Sequence, residues 1–186
     1  MQRQWLPLFL ALPLLLSAGE KDSDRPARPT PAASEDGISV YFSPDGGATD
    51  AIVARLNAAK STVDLQAYYF TSSSIAKGVA EAHRRGVKVR CIIDASAIDE
   101  QYSVATYLTN ANVPVWLDDE HNLLHNKVII VDSKFIITGS FNFTRMAEVR
   151  NAENLLVIEG KKKLIQAYQQ NFDDHFKHSK KYKGKK

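Results

Sequence analysis

The chain has 186 residues, 44% of them apolar and 24% charged, with a formal net charge of +3. That length suffices for one domain with a proper core, and the composition is that of a soluble globular protein, which excludes a wholly disordered chain. Cys91 is the sole cysteine, so an intrachain disulfide is excluded; it sits in a strand-like run and reads as a buried, inert thiol.

Arg3, the apolar run from Trp5 to Leu16, and the small residues Ser17, Ala18 and Gly19 form the three-part pattern of a secretory signal peptide over residues 1–19. The run is shorter than the roughly 20 residues a membrane-spanning helix needs. The expected location is therefore secreted or periplasmic after cleavage, with an uncleaved anchor as the alternative. Residues 20–37 are charged and carry Pro26, Pro29 and Pro31, the composition of a disordered linker.

The folded domain is expected over residues 38–178. Strands are predicted at 38–42, 63–70, 87–93 and 113–117, with helices at 48–59, 73–85 and 101–110 between them. After the acidic run at 118–120 this alternation breaks. Two apolar runs, 127–131 and 135–138, flank Asp132-Ser133-Lys134 and read as a hairpin. A strand at 154–158 and an amphipathic helix at 162–176 close the domain; Leu164, Ile165, Tyr168, Phe172 and Phe176 recur there at near-helical spacing. The fold class is α/β: a three-layer α-β-α sandwich with a central mixed β-sheet. Residues 179–186 form a basic tail. The six lysines between Lys177 and Lys186, with no acid among them, suit a solvated end or a flexible arm for polyanions.

The chemistry concentrates between His125 and Glu153. His125-Asn126-Lys127 opens an H-x-K-x-x-x-x-D pattern that ends at Asp132, and Gly139-Ser140-Phe141-Asn142 follows as G-S-x-N. Alternate residues of a strand share a face, so His125 and Lys127 point one way and Asn126, Val128 and Ile130 the other. Ser140 and Asn142 share the parity of the returning strand. Such a set suits a phosphate. Lys127 neutralises charge, Asn142 donates to a non-bridging oxygen, and Ser140 adds a hydroxyl. A neutral imidazole at His125 can attack phosphorus, and Glu153 is a plausible carboxylate to fix its tautomer. Asp132 ends the strand, and as a turn residue it fits equally well.

These residues resemble the phospholipase D superfamily, most of all its small single-motif bacterial endonucleases of the Nuc type. The motif positions fall on His125, Lys127, Asp132, Ser140, Asn142 and Glu153 without a gap, and the resemblance spans about residues 38–176. It implies catalytic roles for His125, Lys127, Asp132, Asn142 and Glu153 and phosphate binding by Lys127, Ser140 and Asn142. It also implies a two-step displacement without cofactor or metal. One histidine attacks while a second protonates the leaving oxygen and then activates water. This chain carries one motif. The resemblance therefore implies a homodimer with the active site on its two-fold axis.

Other candidates weigh less. His121 and His125 are four apart, the spacing of a helical zinc pair, but Asn122 stands where a zinc protease needs Glu and the segment reads as strand. His121 reads as a loop histidine near the cleft; His83, His175 and His178 read as surface residues. Residues 66–72 read mostly as core whose end approaches the cleft. Gly46-Gly47 lacks the rest of a P-loop and reads as a plain loop. The expected function is a secreted phosphodiesterase, a sequence-nonspecific endonuclease with nucleic acid (DNA or RNA) as partner. A phospholipase D or cardiolipin-type lipid phosphodiesterase is the first alternative, and an inactive nucleic-acid-binding protein the second.

Overall fold

A computed structural model describes residues 29–99 and 103–184. The expected signal peptide, the first half of the linker, the first residues of the third expected helix and the last two lysines lie outside the described residues. The elements in order are β1 (Ala33–Glu35), β2 (Ile38–Phe42), α1 (Ala48–Ala58), β3 (Thr62–Ala67), α2 (Ser73–Arg84), β4 (Lys88–Asp94), α3 (Ala105–Asn110), β5 (Val115–Asp118), β6 (Lys127–Val131), β7 (Phe135–Gly139), α4 (Arg145–Val149), β8 (Asn154–Glu159), α5 (Lys162–His178) and β9 (Lys180–Lys181). The strands form one sheet in the order β1-β2-β8-β7-β6-β3-β4-β5-β9.

Two crossovers, through α2 and α3, set β3, β4 and β5 parallel. The chain then returns through β6, antiparallel to β3, and runs on through antiparallel β7 and β8, which pairs with the earlier β2. The sheet is therefore mixed, and period-two alternation gives it two apolar faces. Leu65, Cys91, Ile129, Ile137 and Val157 pack with Ile52 and Leu56 of α1, Ile75 and Val79 of α2 and Leu108 of α3. On the opposite face, Phe172 of α5 covers Ile92, Val128 and Ile130, and Ile165 covers Ile136 and Ile158. This is the three-layer sandwich expected. Cys91 is fully buried, which pushes its thiol pKa up and leaves it inert.

Four differences from the sequence reading have local causes. The end of the expected linker holds β1, which pairs with β2 across Asp36-Gly37; both turn residues take positive φ (47° and 78°). β3 stops at Ala67, and the Tyr68 amide instead donates to the Asn126 carbonyl (3.2 Å). α4 was not expected, being only five residues long; Thr144 caps it by accepting from the Ala147 amide (3.1 Å). In the expected basic tail, Lys180 and Lys181 pair with Leu117 and Trp116 as β9.

α5 is held to the sheet by more than apolar contact. The Arg90 guanidinium grips buried Asp64 with two bonds of 2.7 Å, reaches Asp173 of α5 at 2.9 Å, and lies 4.6 Å from the Phe172 ring centre. Gln169 of α5 donates to the same Asp64 carboxylate (2.8 Å). Removing one partner leaves a buried charge unmatched, whereas an apolar pair of similar volume does not. We expect Arg90→Ala to lose about 2–3 kcal/mol in urea unfolding, discounted for the partial exposure of Arg90, and Asp64→Leu/Arg90→Met to recover most of it.

The β6–β7 turn is held from outside. Asp132 and Ser133 adopt positive φ (53° and 49°), and the Lys134 amide closes the turn on the Val131 carbonyl (2.9 Å). The Asp132 carboxylate accepts from the amides of Lys60 (2.9 Å), Ser61 (2.7 Å) and Thr62 (3.0 Å) and from the Ser61 hydroxyl (2.8 Å). It thereby ties the start of β3 to the end of β6. Burial alone would raise its pKa, but these donors outweigh it and hold the carboxyl below its ordinary value. A depressed pKa contributes stability above the unfolded value, about 3.9, and loses it as pH falls through the folded one. Asn tolerates the same backbone, so Asp132→Asn isolates the charge. We expect it to cost about 1 kcal/mol at neutral pH, with the gap to wild type closing below about pH 4 in denaturant titrations.

Candidate active site

The residues expected to carry chemistry collect where β6 begins and β7 ends. β6 is buried at all five positions and starts with Lys127, which is only 6% exposed. The face alternates as expected: Val128 and Ile130 pack under α5, while Lys127 shares its parity with Ile129 and Val131 on the other face. The Lys127 ammonium donates to the His125 carbonyl (2.9 Å) and lies 5.5 Å from the Tyr68 ring centre. Burial lowers its pKa below that of an ordinary lysine, and the nearby Glu153 carboxylate works against that shift. A cation this poorly hydrated gains much from an arriving phosphate.

His125 precedes β6 and is exposed. Its ring packs against Tyr68, with centroids 5.0 Å apart and planes tilted by 52°. Tyr68 in turn donates from its hydroxyl to that of Tyr69 (3.1 Å). The end of the 66–72 segment thus reaches the cleft, as expected. Tyr68 was not singled out beforehand; its position beside both His125 and Lys127 depends on β3 pairing with β6, which periodicity alone does not reveal.

Ser140 and Asn142 lie just past β7, not within it. Gly139 allows this. A side chain there would meet the Asn154 carbonyl at 2.2 Å, and that same carbonyl accepts from the Ser140 (3.2 Å) and Phe141 (3.3 Å) amides. The Ser140 hydroxyl donates to Glu153 Oε2 (2.5 Å), and Asn151 donates to Glu153 Oε1 (2.9 Å). The expected orienting partners of Glu153 therefore differ: among the described residues it hydrogen-bonds Ser140 and Asn151, not His125. Asn142 sits between fully buried Phe141 and Phe143, and its buried side-chain oxygen has no hydrogen-bond partner. Phe143 is tied to Phe70 by a parallel bridge, and its carbonyl accepts from Thr71 (3.0 Å) and Ser72 (2.9 Å). An amide oxygen accepts, so it is the side-chain NH2 of Asn142 that can donate to a phosphate oxygen.

His125, Lys127, Ser140, Asn142 and Glu153 thus belong to one end of the hairpin. Asp132 does not. Five residues of strand, about 16 Å at the usual rise, separate Lys127 from it, and its carboxylate is taken up by the amides of Ser61 and Thr62 where β3 begins. The zinc pair weighed for His121 and His125 does not form. The His121 ring turns to His175 (4.9 Å between centroids), away from the Tyr68 platform of His125. Gly46-Gly47 makes no phosphate cradle, because Glu148 of α4 accepts from the Gly47 (3.1 Å) and Thr49 (2.7 Å) amides at the start of α1. Among the described residues no helix is long and apolar enough to cross a membrane.

Comparison with known proteins places the chain in a family. The family model described as the PLD-like domain of cardiolipin synthase matches residues 52–176. The chain is 41% identical to a phospholipase D of Rickettsia prowazekii over 139 residues, 75% of this chain and 67% of that protein. It is 36% identical to a mitochondrial cardiolipin hydrolase of Chlamydomonas reinhardtii over 118 residues, 63% of this chain and 52% of that protein. Its fold is similar to that of the crystal structure of Nuc from Salmonella typhimurium, a phospholipase D family member, with a TM-score of 0.76 and 34% identity over 79% of this chain and 98% of that one. The matched span contains the whole β6–β7 hairpin with its histidine, lysine, serine, asparagine and glutamate, and the chain belongs to the phospholipase D superfamily of phosphodiesterases.

Proposed function

We propose that this chain acts, after export, as a sequence-nonspecific endonuclease that cleaves nucleic-acid phosphodiesters through a phosphohistidine. The reading of the chemistry is carried by exposed His125 two residues before buried Lys127, with Asn142 in the loop beyond β7. An imidazole nitrogen of His125 attacks phosphorus and the P–O bond to the leaving oxygen breaks. Lys127 and the Asn142 amide stabilise the charge gathering on the non-bridging oxygens. The leaving oxygen must take a proton, and water must later be deprotonated to free the phosphate from the imidazole. Each chain brings one such histidine. A second copy related by a two-fold axis supplies the other, so that one site forms per dimer and the two His125 residues take unlike roles.

Nucleic acid is favoured by charge. Arg145 and Arg150 bracket α4, between Asn142 and Glu153, are exposed, and form no ion pair among the described residues. Two cations flanking the reacting phosphate suit a repeating phosphate backbone. The lysine tail contributes less than its composition suggests, since Lys177 pairs with Asp174 (2.7 Å) and Lys180 with Asp119 (2.5 Å). A lipid phosphodiester is the second reading. It is supported by the names of the rickettsial and algal relatives and by a groove lined by Ala76, Val104, Tyr107 and Met146, with Tyr107 and Met146 about half exposed.

Supercoiled plasmid distinguishes these readings. With excess EDTA, and below the melting temperature of the chelated protein, we expect wild type to nick and His125→Ala to lose at least about a thousandfold in rate. Arg145→Ala/Arg150→Ala should weaken plasmid binding and flatten its salt dependence. No nicking by wild type, with release of headgroup from cardiolipin or phosphatidylcholine vesicles, would move the assignment to lipid.

A further inference from the structure

A second cluster of chemical groups lies three strands from Lys127, at the same end of the sheet, and takes no part in this chemistry. β5 ends at Asp118, whose side chain is fully buried. His175 Nδ1 lies 2.8 Å and His178 Nε2 3.0 Å from Asp118 Oδ2, and His121 Nδ1 lies 3.6 Å from Oδ1. The three imidazoles also touch one another, with ring centroids 4.9, 5.4 and 5.5 Å apart. One ligand atom from each of the four residues falls within 4.8 Å of all the others. His175 and His178 are three apart at the end of α5 and so share a face, while Asp118 and His121 come from the chain more than fifty residues earlier.

Three imidazoles are more than one carboxylate needs. As a purely protonic cluster, three imidazole N–H groups and the Glu120 amide converge on one carboxylate and use all of its roughly four acceptor positions. A metal ion replaces those hydrogens with a single centre. Three nitrogens and one carboxylate oxygen are a borderline donor set without thiolate, suited to zinc and unlike the all-oxygen shells of calcium or magnesium. Tetrahedral zinc with bonds near 2.0–2.1 Å places its ligands about 3.3 Å apart. The three Asp118–histidine separations, 2.8 to 3.6 Å, straddle that value. His121, half exposed on its loop, is the ligand free to adjust. The Glu120 amide donates to Asp118 Oδ1 (3.1 Å), the outer-sphere support such ligands need.

We propose that Asp118, His121, His175 and His178 form a structural zinc site that fastens the end of α5 to the loop leading to His125. Four protein ligands close the tetrahedron and leave no position for substrate, which marks the site as structural. The loop is already fixed further on, where the Leu124 amide donates to Asp94 (2.5 Å) and its side chain packs beneath Phe172. Zinc fixes its beginning, so both ends of the segment that delivers His125 are held. The inference does not depend on the phosphodiester substrate, and its readout is metal content and melting temperature.

The test uses the untagged chain, since an affinity tag of histidines binds the same ions. After equilibration with zinc and extensive dialysis, elemental analysis should find one zinc per chain, and removal with EDTA should lower the melting temperature. Cobalt(II) added to the stripped protein should give the visible absorption of tetrahedral nitrogen–oxygen coordination. His121→Ala removes a half-exposed ligand with little risk to folding and should weaken zinc binding at least about a hundredfold; His178→Ala should do the same, and His83→Ala should not. Substoichiometric zinc in wild type, or an affinity unchanged by both His121→Ala and His178→Ala, would overturn the site.

Discussion

The ammonium of Lys127 stands at the head of a strand whose every residue is buried, and the site is organised around keeping that charge where it is costly. An unpaired cation in such a place carries a penalty of several kcal/mol. Here the His125 carbonyl, the Tyr68 ring and the field of Glu153 offset part of it. The remainder is available to a phosphate, whose two or more oxygens supply the charge the protein withholds. Affinity for a phosphodiester and the lowered pKa of Lys127 are thus two consequences of one burial.

The sheet makes this arrangement rigid. β6 lies between β3 and β7, so its register is fixed from both sides. A slip of one residue would turn Lys127 beneath α5 and expose Val128 to the cleft. Asp132 guards against that slip at the far end by binding three successive amides at the start of β3. The histidine, the lysine and the aspartate of the motif therefore divide the work: two stand together where β6 begins, and the third holds the strand that carries them. Glu148 acts in a similar way on α4, capping α1 and so anchoring the short helix between Asn142 and Glu153.

Much of this was legible in the residues because it is local. Period-two alternation placed His125 and Lys127 together and set Val128 apart, and the hairpin followed from Asp132-Ser133-Lys134 between two apolar runs. The parts that were not legible are tertiary. His175 and His178 look like surface residues on a helix until α5 is laid beside β5, where Asp118 turns them into a cluster with His121. Tyr68 becomes a wall of the site only once β3 pairs with β6, and the helix-capping carboxylate of α1 comes from about a hundred residues away. β1 and β9 were missed because each is too short for periodicity to register, and edge pairing alone defines them.

The central claim is that the His125 imidazole forms a bond to phosphorus while a second copy serves as acid. Denaturing wild-type protein during turnover of an internally phosphorus-labelled oligonucleotide, in EDTA, tests both halves at once. The account predicts an acid-labile, base-stable adduct that maps to His125, saturates at one label per two chains, and disappears in His125→Ala. No adduct during measurable turnover, an adduct on another residue, or saturation at one label per chain would contradict it.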